Sequence, residues 1–169
     1  YITLVKAVYE TEQTSENAYR IFRAYCKAGR WEEASIFGAE SLNYFGRRGR
    51  WAGARDEIAR AMMFAGHYSE AAAMWGQMRG YGPKFYQAFS TYMNAEYQQA
   101  IELFTPLTTK SNAWDAAAFY WMGRAQEHLD QDASESFAQA MALDSSGWYD
   151  LLVLQRRLSD VQQQEKQEE

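Results

Sequence analysis

An all-α array of helix-turn-helix repeats is the fold this sequence predicts, and three observations predict it. The stretch Ala28-Gly29-Arg30-Trp31-Glu32-Glu33-Ala34 returns as Ala65-Gly66-His67-Tyr68-Ser69-Glu70-Ala71, and more loosely as Asn94-Ala95-Glu96-Tyr97-Gln98-Gln99-Ala100. Each copy lies between segments whose apolar residues recur at helical spacing. It therefore reads as the turn of a helix pair that must stack on its neighbours to bury its apolar face. Strand signals are nearly absent: no run of alternating β-branched residues occurs, and the commonest apolar residue is Ala, the best helix former. At 169 residues and 47% apolar content, the chain is long enough for one buried domain. That domain is expected over residues 1–158.

In chain order, the first helix is expected over Tyr1–Thr11, where Ile2, Val5, Val8 and Tyr9 share a face. The polar stretch after it offers Ser15 as the cap of the next helix. Helices then follow over Glu16–Ala28, Trp31–Tyr44, Trp51–Ala65, Tyr68–Met78, Lys84–Asn94, Glu96–Phe104, Asn112–Leu129, Asp132–Leu143 and Gly147–Leu158. Gly29, Gly66 and Asn94 stand where the chain must reverse, because Gly or Asn tolerates the left-handed cap conformation. Trp31, Tyr68 and Tyr97 can fill the space between paired helices. Ala34, Ala71 and Ala100 let the second helix approach closely, and Gly38, Trp75 and Phe104 share their face. The fourth unit keeps Ala133, Phe137 and Ala140 but turns at Asp130 and Gln131. Beyond Leu158 only Val161 is apolar, so residues 159–169 read as a disordered or frayed tail.

The net charge of −5 argues against nucleic acid, although the charge is uneven. Asp160, Glu165, Glu168 and Glu169 outweigh Lys166 in the tail. Between Arg20 and Arg60 the sign reverses: Arg20, Arg23, Lys27, Arg30, Arg47, Arg48, Arg50, Arg55 and Arg60 outnumber Glu32, Glu33, Glu40, Asp56 and Glu57. This is either a solvated face or a site for an acidic partner. Cys26 is the single cysteine, which excludes an intrachain disulfide and a cysteine-type metal site. No apolar run approaches the roughly 20 residues that cross a bilayer. Without a starting Met or a signal peptide, Tyr1 reads as following either a cleavage point or an artificial boundary, and the chain as a piece of something longer.

The common catalytic motifs are missing: there is no Gly-x-Ser-x-Gly, no glycine-rich phosphate loop and no His-Glu-x-x-His. His67 falls in a repeat turn and His128 at a helix C-terminus, where a cation is favoured anyway. Neither reads as a ligand or base. No catalytic residue, metal site or cofactor is expected. Most aromatics, namely Trp31, Trp51, Tyr68, Trp75, Tyr97, Phe104, Trp121 and Phe137, fall at packing positions. A second set remains once the units are aligned on Ala34, Ala71, Ala100 and Gly123. The first helices then carry Tyr19, Arg23 and Lys27, then Arg60, then Phe85, Phe89 and Tyr92, then Tyr120 and Arg124 on one inward face. Arg23, Arg60 and Arg124 take equivalent places. Helical arrays bind along their concave face, and arginine beside aromatics can fork to carboxylates or stack on planar and sugar rings. The alternative is that these side chains satisfy helix ends and contacts between repeats.

The segment Phe119-Tyr120-Trp121-Met122-Gly123-Arg124-Ala125 is followed by an alanine-rich helix and by Gly147-Trp148-Tyr149-Asp150-Leu151-Leu152 with Arg156, Arg157 and Leu158. This order resembles the α-superhelical region of bacterial soluble lytic transglycosylases, with Asp150 in place of the usual glycine. The likeness covers about 40 residues. The earlier repeats look like generic tetratricopeptide units, so the resemblance implies a right-handed superhelix of about 9–10 helices. In that family a separate lysozyme-like domain cuts peptidoglycan with a glutamate followed by serine and a Gly-Leu-Met-Gln motif; the Gly-Leu-Met-Gln motif does not occur here, and the Glu-Ser pairs Glu40-Ser41 and Glu135-Ser136 fall inside repeat helices. The resemblance thus implies a non-enzymatic scaffold in the periplasm or envelope that binds a protein partner or a glycan strand. Two alternatives stay open: a tetratricopeptide adaptor, in any compartment including the cytoplasm, that takes an acidic peptide through Arg23, Lys27, Arg60 and Arg124, and a fragment of an active lytic enzyme.

Overall fold

A computed structural model describes residues 1–46, 49–109, 114–144, 146–149 and 151–156. Arg47, Arg48, Asn112, Asp150, Arg157, Leu158 and the expected tail 159–169 lie outside the described residues. Among the described residues the structure is all-α, with helices α1 (Ile2–Thr11), α2 (Ser15–Lys27), α3 (Trp31–Phe45), α4 (Arg55–Ala65), α5 (Tyr68–Gly76), α6 (Tyr81–Met93), α7 (Tyr97–Phe104), α8 (Trp114–His128) and α9 (Ser134–Leu143). Residues 148–149 and 151–156 are also helical, and short 3-10 helices span Gly49–Gly53 and Thr105–Leu107. The chain divides into two compact units, Tyr1–Asn94 and Ala95–Glu169.

In the first unit each helix packs on the next in sequence, α1 on α2 through to α5 on α6, as a helical repeat array requires. Its main core joins Ala18, Ile21, Phe22 and Tyr25 of α2 to Ala34 of α3, Trp51, and Ala54, Ile58 and Ala61 around α4. Close approach depends on small residues. A Cβ at Gly38 would stand 3.0 Å from both Ile58 and Phe22, tighter than the α3 contact can accept without movement. Ala34 and Ala71 are fully buried, as the repeat alignment requires. A smaller cluster of Ala59, Ala71 and Trp75 is wrapped by Met62, Met63, Met74, Met78 and Tyr86.

The turns show why Gly recurs. Gly29 (φ 67°) and Gly66 (φ 88°) adopt the left-handed conformation, and the amides of Arg30 and His67 donate to the carbonyls of Tyr25 and Met62 five residues back. These bonds satisfy carbonyls that the helix end would otherwise leave bare. In the third copy the left-handed residue is Ala95 (φ 62°), and not Asn94, whose φ is −80°. The repeat fixes the place of the reversal, so Ala95 carries the strain that Gly avoids. Asp130 (φ 54°) does the same in the fourth, where the Gln131 amide reaches Gln126 O at 2.9 Å.

Three other boundaries differ from expectation. Thr14, not Ser15, caps α2: its hydroxyl accepts from the Asn17 amide at 3.2 Å, and Ser15 is already helical. The helix expected from Trp51 is broken into a 3-10 segment and α4, because Trp51 turns fully inward and its Nε1 donates to Ser15 O at 2.9 Å. Helix α6 starts at Tyr81, ahead of the expected Lys84, because Pro83 in the first turn needs no amide donor.

In the second unit α7 packs on α8 and α8 on α9. Ala100 and Phe104 are fully buried. Phe119, Tyr120, Ala133, Phe137, Ala140 and Val153 form its core. Gly123 lets the Phe137 ring lie against α8, since a Cβ there would come within 2.9 Å of it.

Candidate functional site

The residues singled out on α2 do gather. Tyr19, Arg23 and Lys27 recur every four residues, so the helix presents them on one stripe. Together with Tyr1, Glu16, Arg20 and Arg50 they line an open cleft of about 420 Å³. The 3-10 segment at Gly49–Gly53 brings Arg50 to this wall, because burial of Trp51 fixes its neighbour beside α2.

Tyr19 and Arg23 are held from below by Glu57 in the first turn of α4. The Tyr19 hydroxyl donates to Glu57 Oε1 at 2.7 Å, and the Arg23 guanidinium donates to Glu57 Oε2. The Tyr19 ring packs edge-on to Trp51 with centroids 5.6 Å apart. Burial, and then the bond to Glu57, pushes the Tyr19 phenol up to about 12. The hydrogen bond to Glu57 likewise raises Arg23 above its ordinary value. Arg50 Nε donates to Glu16 Oε2 at 2.9 Å, and its guanidinium lies 5.7 Å from the Tyr19 ring centroid. Arg20 makes a longer pair with Glu16 at 3.7 Å. Four cations thus face the cleft against two carboxylates, Glu16 and Glu57, which leaves it net positive.

Arg60 is committed elsewhere in the same unit. Its Nε donates to Asp56 Oδ2 at 2.8 Å, the other Asp56 oxygen accepts from Trp75 Nε1 at 2.8 Å, and the guanidinium lies 4.5 Å from the Tyr86 ring centroid. Phe85, Phe89 and Tyr92 form a near-parallel ring series along α6, with centroids 6.4 and 6.5 Å apart. Phe85 and Phe89 are half-buried and Tyr92 is buried, so this series packs more than it presents.

The second unit treats its copies differently. Tyr120 is not a groove residue: it is buried against Phe137, Trp121 and Tyr149. Arg124 is largely covered and pairs with Glu127 at 3.4 Å, while Arg156 donates to the same carboxylate at 2.6 Å. His128 stacks on Tyr97, with centroids 4.2 Å apart and the rings nearly parallel.

No family model matches the chain, and no curated protein matches its sequence. No helix among the described residues is long and apolar enough to cross a membrane. Nor do the described residues hold a group of three or more His, Cys, Asp or Glu side chains placed for a metal ion.

The repeat alignment missed Arg20, Arg50, Glu16 and Glu57 as parts of the α2 cleft. Glu16 and Arg20 lie on the exposed side of the same helix, at the i, i+4 spacing of an ion pair, and that signal was legible. Arg50 was legible only as one charge of the basic stretch from Arg20 to Arg60, and the place of Arg50 and Glu57 beside α2 was not, since it depends on how Trp51 and α4 pack.

Proposed function

We propose that this chain is a non-catalytic helical-repeat binding module of the bacterial cell envelope that holds an anionic protein partner or peptidoglycan strand on its first helices. The observation that carries it is the net-positive cleft on α2. There Arg20, Arg23, Lys27 and Arg50 surround about 420 Å³ of open space, with Tyr19 as an aromatic wall. Arginine forks to carboxylates, and lysine supplies a movable point charge on a flexible stem. Glu57 fixes Arg23 and Tyr19 in advance, so less side-chain freedom is lost when a ligand arrives. The envelope setting, and the superhelical course of the array, rest on the resemblance of Phe119–Ala125 and Gly147–Leu152 to the helical region of soluble lytic transglycosylases.

The adaptor reading, in which an acidic peptide is the ligand, draws on the same cations. The two readings separate by ligand. Purified chain is mixed with peptidoglycan sacculi in a sedimentation assay, and with a fluorescein-labelled glutamate-rich peptide in an anisotropy titration. Envelope binding predicts co-sedimentation that the triple variant R20A/K27A/R50A weakens about tenfold, from three exposed charge contacts at about 0.5 kcal/mol each. Tight peptide binding without co-sedimentation selects the adaptor. Indifference of both ligands to the triple variant overturns the cleft, and release of soluble muropeptides by this chain alone overturns the non-catalytic reading.

A further inference from the structure

A second concavity lies on the other helices of the first unit, and its chemistry is opposite to that of the α2 cleft. Glu32, Ser35, Ile36 and Ala39 recur on one face of α3 and, with Met62 of α4, His67 of the following turn and Glu70 of α5, enclose about 360 Å³. That volume is within the range of about 300–1,000 Å³ in which proteins hold small ligands. Its floor is apolar: Ile36 is 50% exposed, and Ala39 and Met62 continue the surface. Its rim is acidic. Glu70 takes part in no ion pair among the described residues, and Glu32 Oε2 lies 2.8 Å from His67 Nε2.

We infer that this groove binds the lysine or arginine side chain of a basic segment in a partner protein. The aliphatic stem of such a side chain covers apolar surface while its charged head seeks water or a carboxylate. An apolar floor with glutamates at its edge satisfies both ends at once. An acidic segment would meet like charge at the rim, and a wholly apolar one would leave the Glu70 carboxylate beside it without gain. The site is independent of the α2 cleft and shares no lining residue with it.

The test is a methyl NMR titration of the intact chain, observing Ile36, Ala39 and Met62. Two probes are used: Nα-acetyl-lysine methylamide and its uncharged analogue of equal stem length, Nα-acetyl-norleucine methylamide. The lysine probe is expected to give saturable shifts on all three methyls, with tighter binding than norleucine. E70Q, an exposed substitution that leaves the core untouched, is expected to weaken the lysine probe about two- to fivefold and leave norleucine unchanged, as befits one exposed charge contact. Equal binding of the two probes, insensitivity to E70Q, or no saturation at these methyls overturns the assignment.

Discussion

Helices α2 and α8 occupy matching places in the repeat, yet they use their aromatic and arginine residues in opposite ways. Tyr19 and Arg23 of α2 stand at the edge of an open cleft, whereas Tyr120 of α8 is buried and Arg124 largely covered. The alignment on the turns placed both pairs on the first helix of their unit, and in that respect it was right. Exposure was decided by what packs alongside. Tyr149 and Val153 close over α8, while Glu57 supports the α2 stripe from one side and leaves the other open. Equivalence along a helix thus does not carry equivalence of environment.

The largest effect that could break this contrast is on stability. Y120A should cost about 3–5 kcal/mol, as for other buried aromatic truncations. Y19A, at a half-exposed ring, should cost clearly less in the same urea titration. Similar losses at the two sites would mean that the tyrosines share one environment after all.

An intermediate effect separates the turns. Ala95 holds a left-handed φ of 62°, where Gly29 sits at 67° without the clash of a Cβ. A95G should raise the unfolding free energy by about 1 kcal/mol, and G29A should lower it by about the same amount. Shifts of equal sign in the two melting curves would contradict this account.

The smallest effect is a pH dependence. The Tyr19 phenol is raised from 10.0 to about 12 in the folded chain. The folded state therefore keeps a proton that the unfolded state releases between those values. The contribution is fully present below pH 10 and is lost as pH rises through the folded value. Y19F should flatten the alkaline limb of the stability profile by this one step, and an unchanged limb would remove Tyr19 as its source.

Much of the architecture was legible because the repeat encodes it locally. Gly29, Gly66, Ala34, Ala71 and Ala100 report backbone conformation and close packing, both set by residues near in sequence. The exceptions have tertiary causes. Trp51 breaks an expected helix because its indole reaches the start of α2, and Thr14 takes the cap from Ser15 through a one-residue shift that helical periodicity does not resolve. Of the candidate site, Tyr19, Arg23 and Lys27 were found from spacing alone. Arg50 and Glu57 could not be, since each lies more than twenty residues from the helix it serves. Tyr120 was misplaced on a groove because a tyrosine beside an arginine reads alike at a surface and in a core.

Asp56 ties three helices with one carboxylate. One oxygen accepts from Trp75 on α5, the other from Arg60 of its own helix α4, and the Arg60 guanidinium in turn lies 4.5 Å from the ring centroid of Tyr86 on α6. The methionines and alanines around it make contacts that carry little directional preference. A carboxylate with fixed donors has one. Asp56 therefore acts as a dowel through the joint, admitting one axial setting of α5 against α4, and the indole it holds is a fluorophore already seated where slippage would first be felt.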